Sequence, residues 1–352
     1  MLKRNFRLAE IAVSHGAHSE SLCQKVYQQL VEGREEELAC HDIGNFVIQR
    51  LLDNVKDKDE LARLAERLAG SVEDILSHGC TGVILSLVKS SVRLSGCQTL
   101  VMNKLVDSLH CQDSLESLAP CLLYMRTKER MAEGELSVHL HGSLILQQLL
   151  LFSKPIKVVR SLLSLPSCQL SRLLSDPRGS HVADTFMSSP TVGEKSREGL
   201  LKALKGELVS LATSKHGSRT LDTAWKFSSI KSKQSMVEEL AYKVDVLNSN
   251  KFGGFLVRKW FISEYKRNKA DWTKLVEKEG KIAESFKEIL GDEKPSIKRK
   301  LDSVPNKAEE EVKKKSKDVV DIVDEWLKPE IQTSEKKMKK KKIKAKSYLD
   351  DL

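Results

Sequence analysis

The sequence predicts an all-α protein built as a stack of repeated helical units. A short segment with a glycine near its start recurs along the chain, mostly every 36 to 38 residues. Apolar residues within each copy follow helical spacing. Hydrophobic residues make up 40% of the chain and only 8 of 352 residues are prolines, which suits helices throughout. This period is typical of a helical solenoid, in which each unit covers the apolar face of its neighbour.

The clearest copy runs from His41 to Asp53. On a helix its polar side carries Asn45, Phe46 and Gln49. Residues four apart on a helix stand one above the other, so Asn45 and Gln49 would form an amide pair beside the Phe46 ring. Amides that bond a base edge, with a ring that stacks on a neighbouring base, are what an RNA-contacting surface requires. The apolar side of the same helix holds Val47, Ile48, Leu51, Leu52 and Val55.

The copies, called repeats from here on, align on one residue, which is Gly44 in the first repeat. In the second to sixth repeats it is Thr81, Gly142, Gly179, Gly217 and Gly253. The step between the second and third is 61 residues, which predicts an inserted helix or loop near residues 96–136. The polar residue that begins each repeat is predicted to cap its helix. The glycine is predicted to permit close contact with the preceding repeat.

The chain is predicted to divide into a repeat array over 1–290 and a disordered basic tail over 291–352. The array would hold six repeats, the first one truncated, on the alignment above. We expect one helix from Glu20 to Leu38 and supporting helices over 59–76. We also expect a closing amphipathic helix from Lys266 to Leu290. Three basic clusters in the tail (298–300, 313–315 and 336–346) are typical of nuclear or nucleolar addresses or of RNA-contacting tails, although a solvated linker would also have this composition.

A net charge of +10 fits a polyanionic partner, although charge alone does not distinguish nucleic acid from acidic protein. The seven cysteines include no C-x-x-C pair, so we expect no zinc site, no other metal and no cofactor. An odd cysteine count without a secretory signal favours a reducing compartment, and no apolar run reaches transmembrane length.

No catalytic constellation or phosphate-binding loop is recognisable, so we expect no enzymatic activity. His41, His78 and His139 recur at the same repeat position, which indicates structural residues at helix starts. The adjacent His110 and Cys111 are predicted to pack in the core.

The segment His41–Asp53 resembles the Pumilio (Puf) repeat, whose RNA-facing helix carries Gly-Asn-(Tyr/Phe)-Val-x-Gln. Over residues 20–290 the chain resembles more specifically the C-terminal half of the nucleolar protein 9 family of divergent Pumilio-like proteins. The supporting stretches are His41–Asp53, Asp176–Asp184, Leu204–Val209 with Ser214–Asp222, Lys251–Gly254 and the long insertion before the third repeat. The resemblance implies a right-handed α-solenoid of Pumilio-like three-helix repeats. It also implies more repeats than are recognisable here, so we expect a truncated form or an incomplete gene model.

By this resemblance, the first, second and fifth residues after the repeat glycine would contact RNA. In the first repeat these are Asn45, Phe46 and Gln49, matching a uracil-contacting set. In later repeats they are Ser143 and Gln147, then Ser180, His181 and Asp184, then Ser218, Arg219 and Asp222, and finally Phe255 and Arg258. The second repeat offers only Gly82, Val83 and Ser86. A serine with an acidic residue resembles the Pumilio guanine-contacting pair, but aspartate is one methylene shorter than glutamate. We therefore expect weaker sequence specificity and more backbone binding than in true Pumilio proteins.

The resemblance implies an RNA-binding protein of the nucleus and nucleolus. It would act on precursor ribosomal RNA in small-subunit biogenesis, holding single strands and also structured RNA. It would act as a monomer, with pre-ribosomal particle proteins as further partners and no membrane. Two alternatives stay open: a protein-binding scaffold of armadillo or HEAT type, and a cytoplasmic Pumilio-type regulator of messenger RNA. The recurrence of rings, amides and arginines favours RNA over a peptide, and the lysine-rich tail favours the nucleus.

Overall fold

The computed structural model describes residues 27–133 and 136–290. Regular structure within these ranges is helical throughout, which confirms the prediction of an all-α protein. The described residues fall into two compact units, one ending at Asn54 and the other beginning at Val55. The predicted disordered tail over 291–352, with its basic clusters, lies outside the described residues.

The first compact unit contains a π-helical turn (Tyr27–Val31), helix α1 (Glu35–Cys40) and helix α2 (Gly44–Asn54). The prediction of one helix from Glu20 to Leu38 is wrong over its described part. Gly33 adopts a left-handed backbone with φ +81°, a conformation that glycine tolerates and that ends the turn before α1. Helix α2 buries its apolar stripe as predicted.

The second compact unit holds the remaining described helices. In chain order they are α3 (Lys58–Leu68), α4 (Val72–Ser77), α5 (Thr81–Arg93), α6 (Gln98–Ser108), α7 (Leu118–Tyr124), α8 (Leu140–Leu149), α9 (Ile156–Leu163), α10 (Ser167–Ser175), α11 (Ser180–Ser188), α12 (Glu194–Ala203), α13 (Leu208–Thr213), α14 (Lys215–Lys226), α15 (Ile230–Ala241), α16 (Val244–Asn248), α17 (Lys251–Lys259), α18 (Ile262–Arg267) and α19 (Lys269–Leu290). Helix α3 buries Leu61, Leu64, Ala65 and Leu68, the face that the sequence predicts.

These helices form rows in which equivalent elements of successive repeats touch. Helices α5, α8, α11, α14 and α17 each pack against the next, and this series is called the recognition row below. Helices α9, α12, α15 and α18 form a second row, and the short helices α10, α13 and α16 form a third. The third, fourth and fifth repeats therefore contribute three helices each. Their apolar side chains are buried against neighbouring repeats, as expected for a stacked array.

The long step between the second and third repeats comes from lengthened loops that connect the usual three helices of a repeat. Short 3-10 segments, Leu115–Ser117 and Lys128–Ala132, lie on either side of α7. The Lys128 amide donates to the Leu109 carbonyl at 3.1 Å and so ties the two connections together. The described part of the insertion is therefore loop with 3-10 turns.

The repeat glycines lie where each recognition helix meets the end of the helix before it. A Cβ atom added at Gly253 would lie 2.7 Å from the Leu247 carbonyl oxygen, and one at Gly217 would lie 2.6 Å from the Leu211 carbonyl oxygen. Both distances are too short for a side-chain carbon. The predicted close contact with the preceding repeat is confirmed, and it makes these glycines structural.

Side chains at the repeat starts cap the recognition helices. Ser214 Oγ accepts from the Gly217 amide at 2.9 Å, and Asn250 Oδ1 accepts from the Gly253 amide at 3.1 Å. Asp176 does the same for Gly179, and His139 for Gly142. These bonds satisfy amides that have no partner within the helix. His78 differs, because its Nδ1 lies 2.8 Å from the Asp74 carbonyl oxygen.

An aromatic cluster joins the sixth repeat to the last described helix. The rings of Trp225 and Trp260 stack with centroids 4.4 Å apart, and the buried Trp272 of α19 meets Trp225 edge-on. Trp272 Nε1 also donates to the Trp260 carbonyl at 2.8 Å. The closing helix was predicted to start at Lys266 but starts at Lys269. Asn268 has an extended backbone there, and its side chain accepts from the Ala270 amide.

The core prediction for the pair His110 and Cys111 holds only for the cysteine, which is fully buried. His110 is exposed, with its Nδ1 2.8 Å from Glu129 and its Nε2 3.4 Å from Glu73. These carboxylates, Glu129 first, raise the pKa of His110 above its ordinary value. Within residues 27–133 and 136–290, no cluster of three or more metal-ligating side chains occurs, and no helix is long and apolar enough to cross a membrane.

Candidate nucleic-acid interface

Helix α2 presents the amide pair of the first repeat in an arrangement that the sequence did not predict. Asn45 is only 6% exposed, and its Nδ2 donates to the His41 and Asp42 carbonyls at 2.8 and 2.9 Å. Its Oδ1 accepts from Gln49 Nε2 at 2.7 Å. Asn45 therefore lies below the surface and orients Gln49. Phe46 is 45% exposed, so its ring is available for stacking.

Helix α8 repeats this arrangement with a serine in place of the asparagine. Ser143 is buried, donates to the Arg178 carbonyl at 2.7 Å and accepts from Gln147 Nε2 at 3.0 Å. At the start of α8, Thr81 Oγ1 and His141 Nδ1 form a 2.7 Å hydrogen bond. Burial, followed by the positive charge of Lys89, lowers the pKa of His141 below its ordinary value.

Helix α11 exposes a histidine beside an aspartate. The His181 side chain is 65% exposed, and its Nδ1 lies 3.8 Å from Asp184 Oδ2. Asp184 Oδ1 has no hydrogen-bond partner within the described part of the chain. Ser180 is buried and donates to the Pro177 carbonyl at 3.3 Å. The surface of this repeat therefore offers a planar ring and the partly exposed carboxylate of Asp184, whose Oδ1 atom is buried.

Helices α14 and α17 bring charged and aromatic side chains of two repeats together. Arg219 is exposed, whereas Asp222 is paired with Lys259 at 2.6 Å across the two helices and lies 3.6 Å from Lys226. The Lys259 ammonium also lies over the Phe255 ring, 5.5 Å from its centroid. Phe255 remains 50% exposed.

When the site residues are compared at equivalent positions after the repeat glycine, their burial follows one pattern. The first residue after the glycine is buried in the first and third to sixth repeats (Asn45, Ser143, Ser180, Ser218 and Gly254). The second residue is exposed in four of them (Phe46, His181, Arg219 and Phe255), and Leu144 is half-buried. The fifth residue is half-buried in four (Gln49, Gln147, Asp184 and Asp222), and Arg258 is exposed. The buried position follows from close packing at the glycine, so the second position is the one that most of these repeats expose to solvent.

In the second repeat, Gly82, Val83 and Ser86 are all buried, which agrees with the expectation that this repeat offers little to a base. Sequence reasoning missed Lys259, the sixth residue after its glycine. Its adjacency to Arg258 was the only available signal, because its partner Asp222 is 37 residues earlier in the chain.

Comparison with known proteins identifies the family. Residues 6–255 match the model of the NOP9-like PUF repeat domain. Nucleolar protein 9 of Mus musculus is 32% identical over 292 residues, covering 76% of this chain. Pumilio homolog 23 of Arabidopsis thaliana is 26% identical over 290 residues, covering 79% of this chain. The chain spans 46% and 38% of the lengths of these two relatives.

A solved structure shows the same fold. The structure of APUM23-GGAUUUGACGG superposes with a TM-score of 0.66 at 25% identity, covering 73% of this chain and 50% of that one. The helical rows described above are thus those of PUF repeats. The chain belongs to the NOP9-like PUF repeat family.

Proposed function

We propose that this protein binds RNA along the recognition row and acts in the nucleolus, on precursor ribosomal RNA of the small subunit. Family membership and the names of the relatives support RNA binding and the nucleolar location. The observation that carries the proposal is the exposure of His181, Arg219 and Phe255 at one equivalent position on three helices that touch in sequence. Planar groups in such a series can each stack on a base of a single strand.

The chemistry of the row fits weak base selection with firm backbone binding. Arg219 can stack through its planar guanidinium, and Arg258, exposed one helical turn beyond Phe255, can contact phosphate. The buried serines bond backbone carbonyls, so their role is to hold helix starts. Gln147 on this row, oriented by the buried Ser143 one turn earlier, is an amide proposed to bond a base edge. Gln49 of α2 is oriented by Asn45 in the same way and is proposed to do the same in its own repeat.

The direct test is a filter-binding titration of the full chain against single-stranded RNA at several salt concentrations. Affinity should fall steeply with salt, because bound phosphates release counterions. The variant His181→Ala/Arg219→Ala/Phe255→Ala removes the three stacking groups. It should lose affinity by ~1–3 kcal/mol for each base that is no longer stacked.

The matched control is Tyr242→Ala, which removes an aromatic side chain that is 82% exposed but lies outside the recognition row. Its RNA affinity should equal that of the unmodified protein. Equal losses in both variants, or binding that does not depend on salt, would exclude this surface as the RNA site and favour a protein-binding scaffold.

We further propose a monomer whose other partners are pre-ribosomal particle proteins. Crosslinking with RNA sequencing from cells, and size-exclusion chromatography with light scattering, test these points.

A further inference from the structure

The fourth and fifth repeats carry the same polar pattern but differ in the charge beside their aspartates. Ser180 with Asp184 and Ser218 with Asp222 occupy equivalent positions on α11 and α14. Asp222 is paired with Lys259 of the next repeat at 2.6 Å, and its side chain is 19% exposed. In the described residues the Asp184 carboxylate has only the 3.8 Å contact with His181, and the Asp184 side chain is 36% exposed.

This difference arises from the residue that the following repeat carries at one position. Lys259 is the sixth residue after Gly253. In the fifth repeat the sixth residue after Gly217 is Thr223, whose hydroxyl donates to the Arg219 carbonyl within its own helix. The third and fourth repeats carry Gln148 and Thr185 there. Within α8, α11, α14 and α17, only α17 therefore places a charged side chain at this position.

We propose that Lys259 is a specificity-determining residue of the RNA site. By pairing with Asp222, it withdraws that carboxylate from contact with bases. The fifth repeat then disfavours guanine, whereas the fourth repeat accepts guanine through Asp184. This inference rests on the proposed function. It adds a difference in base preference between two repeats that share the same serine–aspartate pair.

Hydrogen-bonding chemistry gives the reason. Guanine presents two donors, N1–H and the N2 amino group, on its Watson–Crick edge, and a carboxylate oxygen can accept from either of them. The Lys259 ammonium, 2.6 Å from Oδ1, offsets the negative charge of Asp222, so this carboxylate attracts a guanine donor less strongly than Asp184 does. The same lysine lies over the Phe255 ring at 5.5 Å, so it also fixes the neighbouring stacking group.

The experiment is an in vitro selection from a randomised pool of single-stranded RNA, with the base preference at each position measured for each variant of the full chain. Lys259→Met keeps the length of the side chain and removes its charge. It should gain a guanine preference at one additional position of about five- to tenfold, the lower part of the range for a specific base-edge contact. Adding Asp222→Asn to Lys259→Met should abolish that gain.

Two further variants test the inference without altering Lys259. Asp222→Asn alone should neither add nor remove a guanine preference, because the paired carboxylate contacts no guanine. Asp184→Asn should remove a guanine preference that the unmodified protein already has. The matched control is Lys226→Met, which removes the same charge 3.6 Å from the other oxygen of Asp222 and should add no guanine preference.

The outcomes separate this inference from the proposed function. If the unmodified protein selects no RNA, the proposed function fails. If it selects RNA but Lys259→Met gains no guanine preference, or Asp222→Asn alone removes one, the role of Lys259 is overturned and RNA binding stands. Urea unfolding of each variant, compared with the unmodified protein, shows that the selected pools report on folded chains.

Discussion

Two adjacent glycines in α17 should respond in opposite directions to the same substitution. Gly253 and Gly254 are both buried helical residues. An added Cβ at Gly253 would lie 2.7 Å from the Leu247 carbonyl oxygen and 2.9 Å from the Leu247 Cα, both backbone atoms that cannot rotate away. At Gly254 the nearest atom, the Asn248 carbonyl oxygen, is 3.7 Å away, an ordinary van der Waals contact.

The magnitudes follow from two opposing effects. Alanine in place of glycine inside a helix stabilises by about 0.8–1 kcal/mol. Overpacking costs about 1–3 kcal/mol, and a rigid backbone neighbour places Gly253 at the upper end. Gly253→Ala should therefore lower the free energy of unfolding by about 2 kcal/mol, and Gly254→Ala should raise it by about 0.5–1 kcal/mol.

The assay is urea unfolding followed by tryptophan fluorescence, because Trp225, Trp260 and Trp272 cluster around α17 and report its packing. Gly254→Ala is the matched control, since it places the same methyl group one residue away. Shifts of the same sign in both variants would refute the argument that Gly253 is required by close approach to the preceding helix.

Three further predictions concern the cluster, the site and pH. Trp272→Ala should lower the free energy of unfolding by about 3–5 kcal/mol, since it empties a fully buried site, and Trp272→Phe should cost less in the same urea assay. Phe255→Ala alone should weaken binding to single-stranded RNA by about 1–3 kcal/mol in a filter assay, and unchanged affinity would rule out stacking there. Burial, reinforced by neighbouring positive charge, lowers the pKa of His139 and of His141. Their contribution to stability is therefore full above their ordinary value of 6.5 and is lost as pH falls below it. NMR titration midpoints at or above 6.5 would contradict this.

Helix positions and faces were predictable because they depend on local spacing. The repeat glycines predicted where α8, α11, α14 and α17 begin, and capping residues such as Ser214 and Asn250 were evident from residue type. The prediction of one helix from Glu20 to Leu38 was wrong because apolar periodicity does not indicate a left-handed backbone such as that of Gly33. The start of α19 was misplaced for a similar reason, since the cap at Asn268 depends on its extended backbone.

In the candidate site, too, some features were predictable from the sequence and others were not. The exposure of Phe46 and Phe255 followed from the helical period alone, because a residue opposite the apolar stripe must face away from the core. The burial of Asn45 did not, since it depends on the carbonyls that its side chain bonds.

The sequence by itself determined the repeat, its helical character and the order of polar side chains along each recognition helix, all of which follow from spacing within about ten residues. Only the tertiary structure decided which of those side chains are available. The pairing of Asp222 with Lys259 joins residues 37 apart in the chain, and it exists because α14 packs against α17. Two repeats with the same serine–aspartate pair can thus differ in the charge around the aspartate, because the side chain that faces each carboxylate comes from the next repeat.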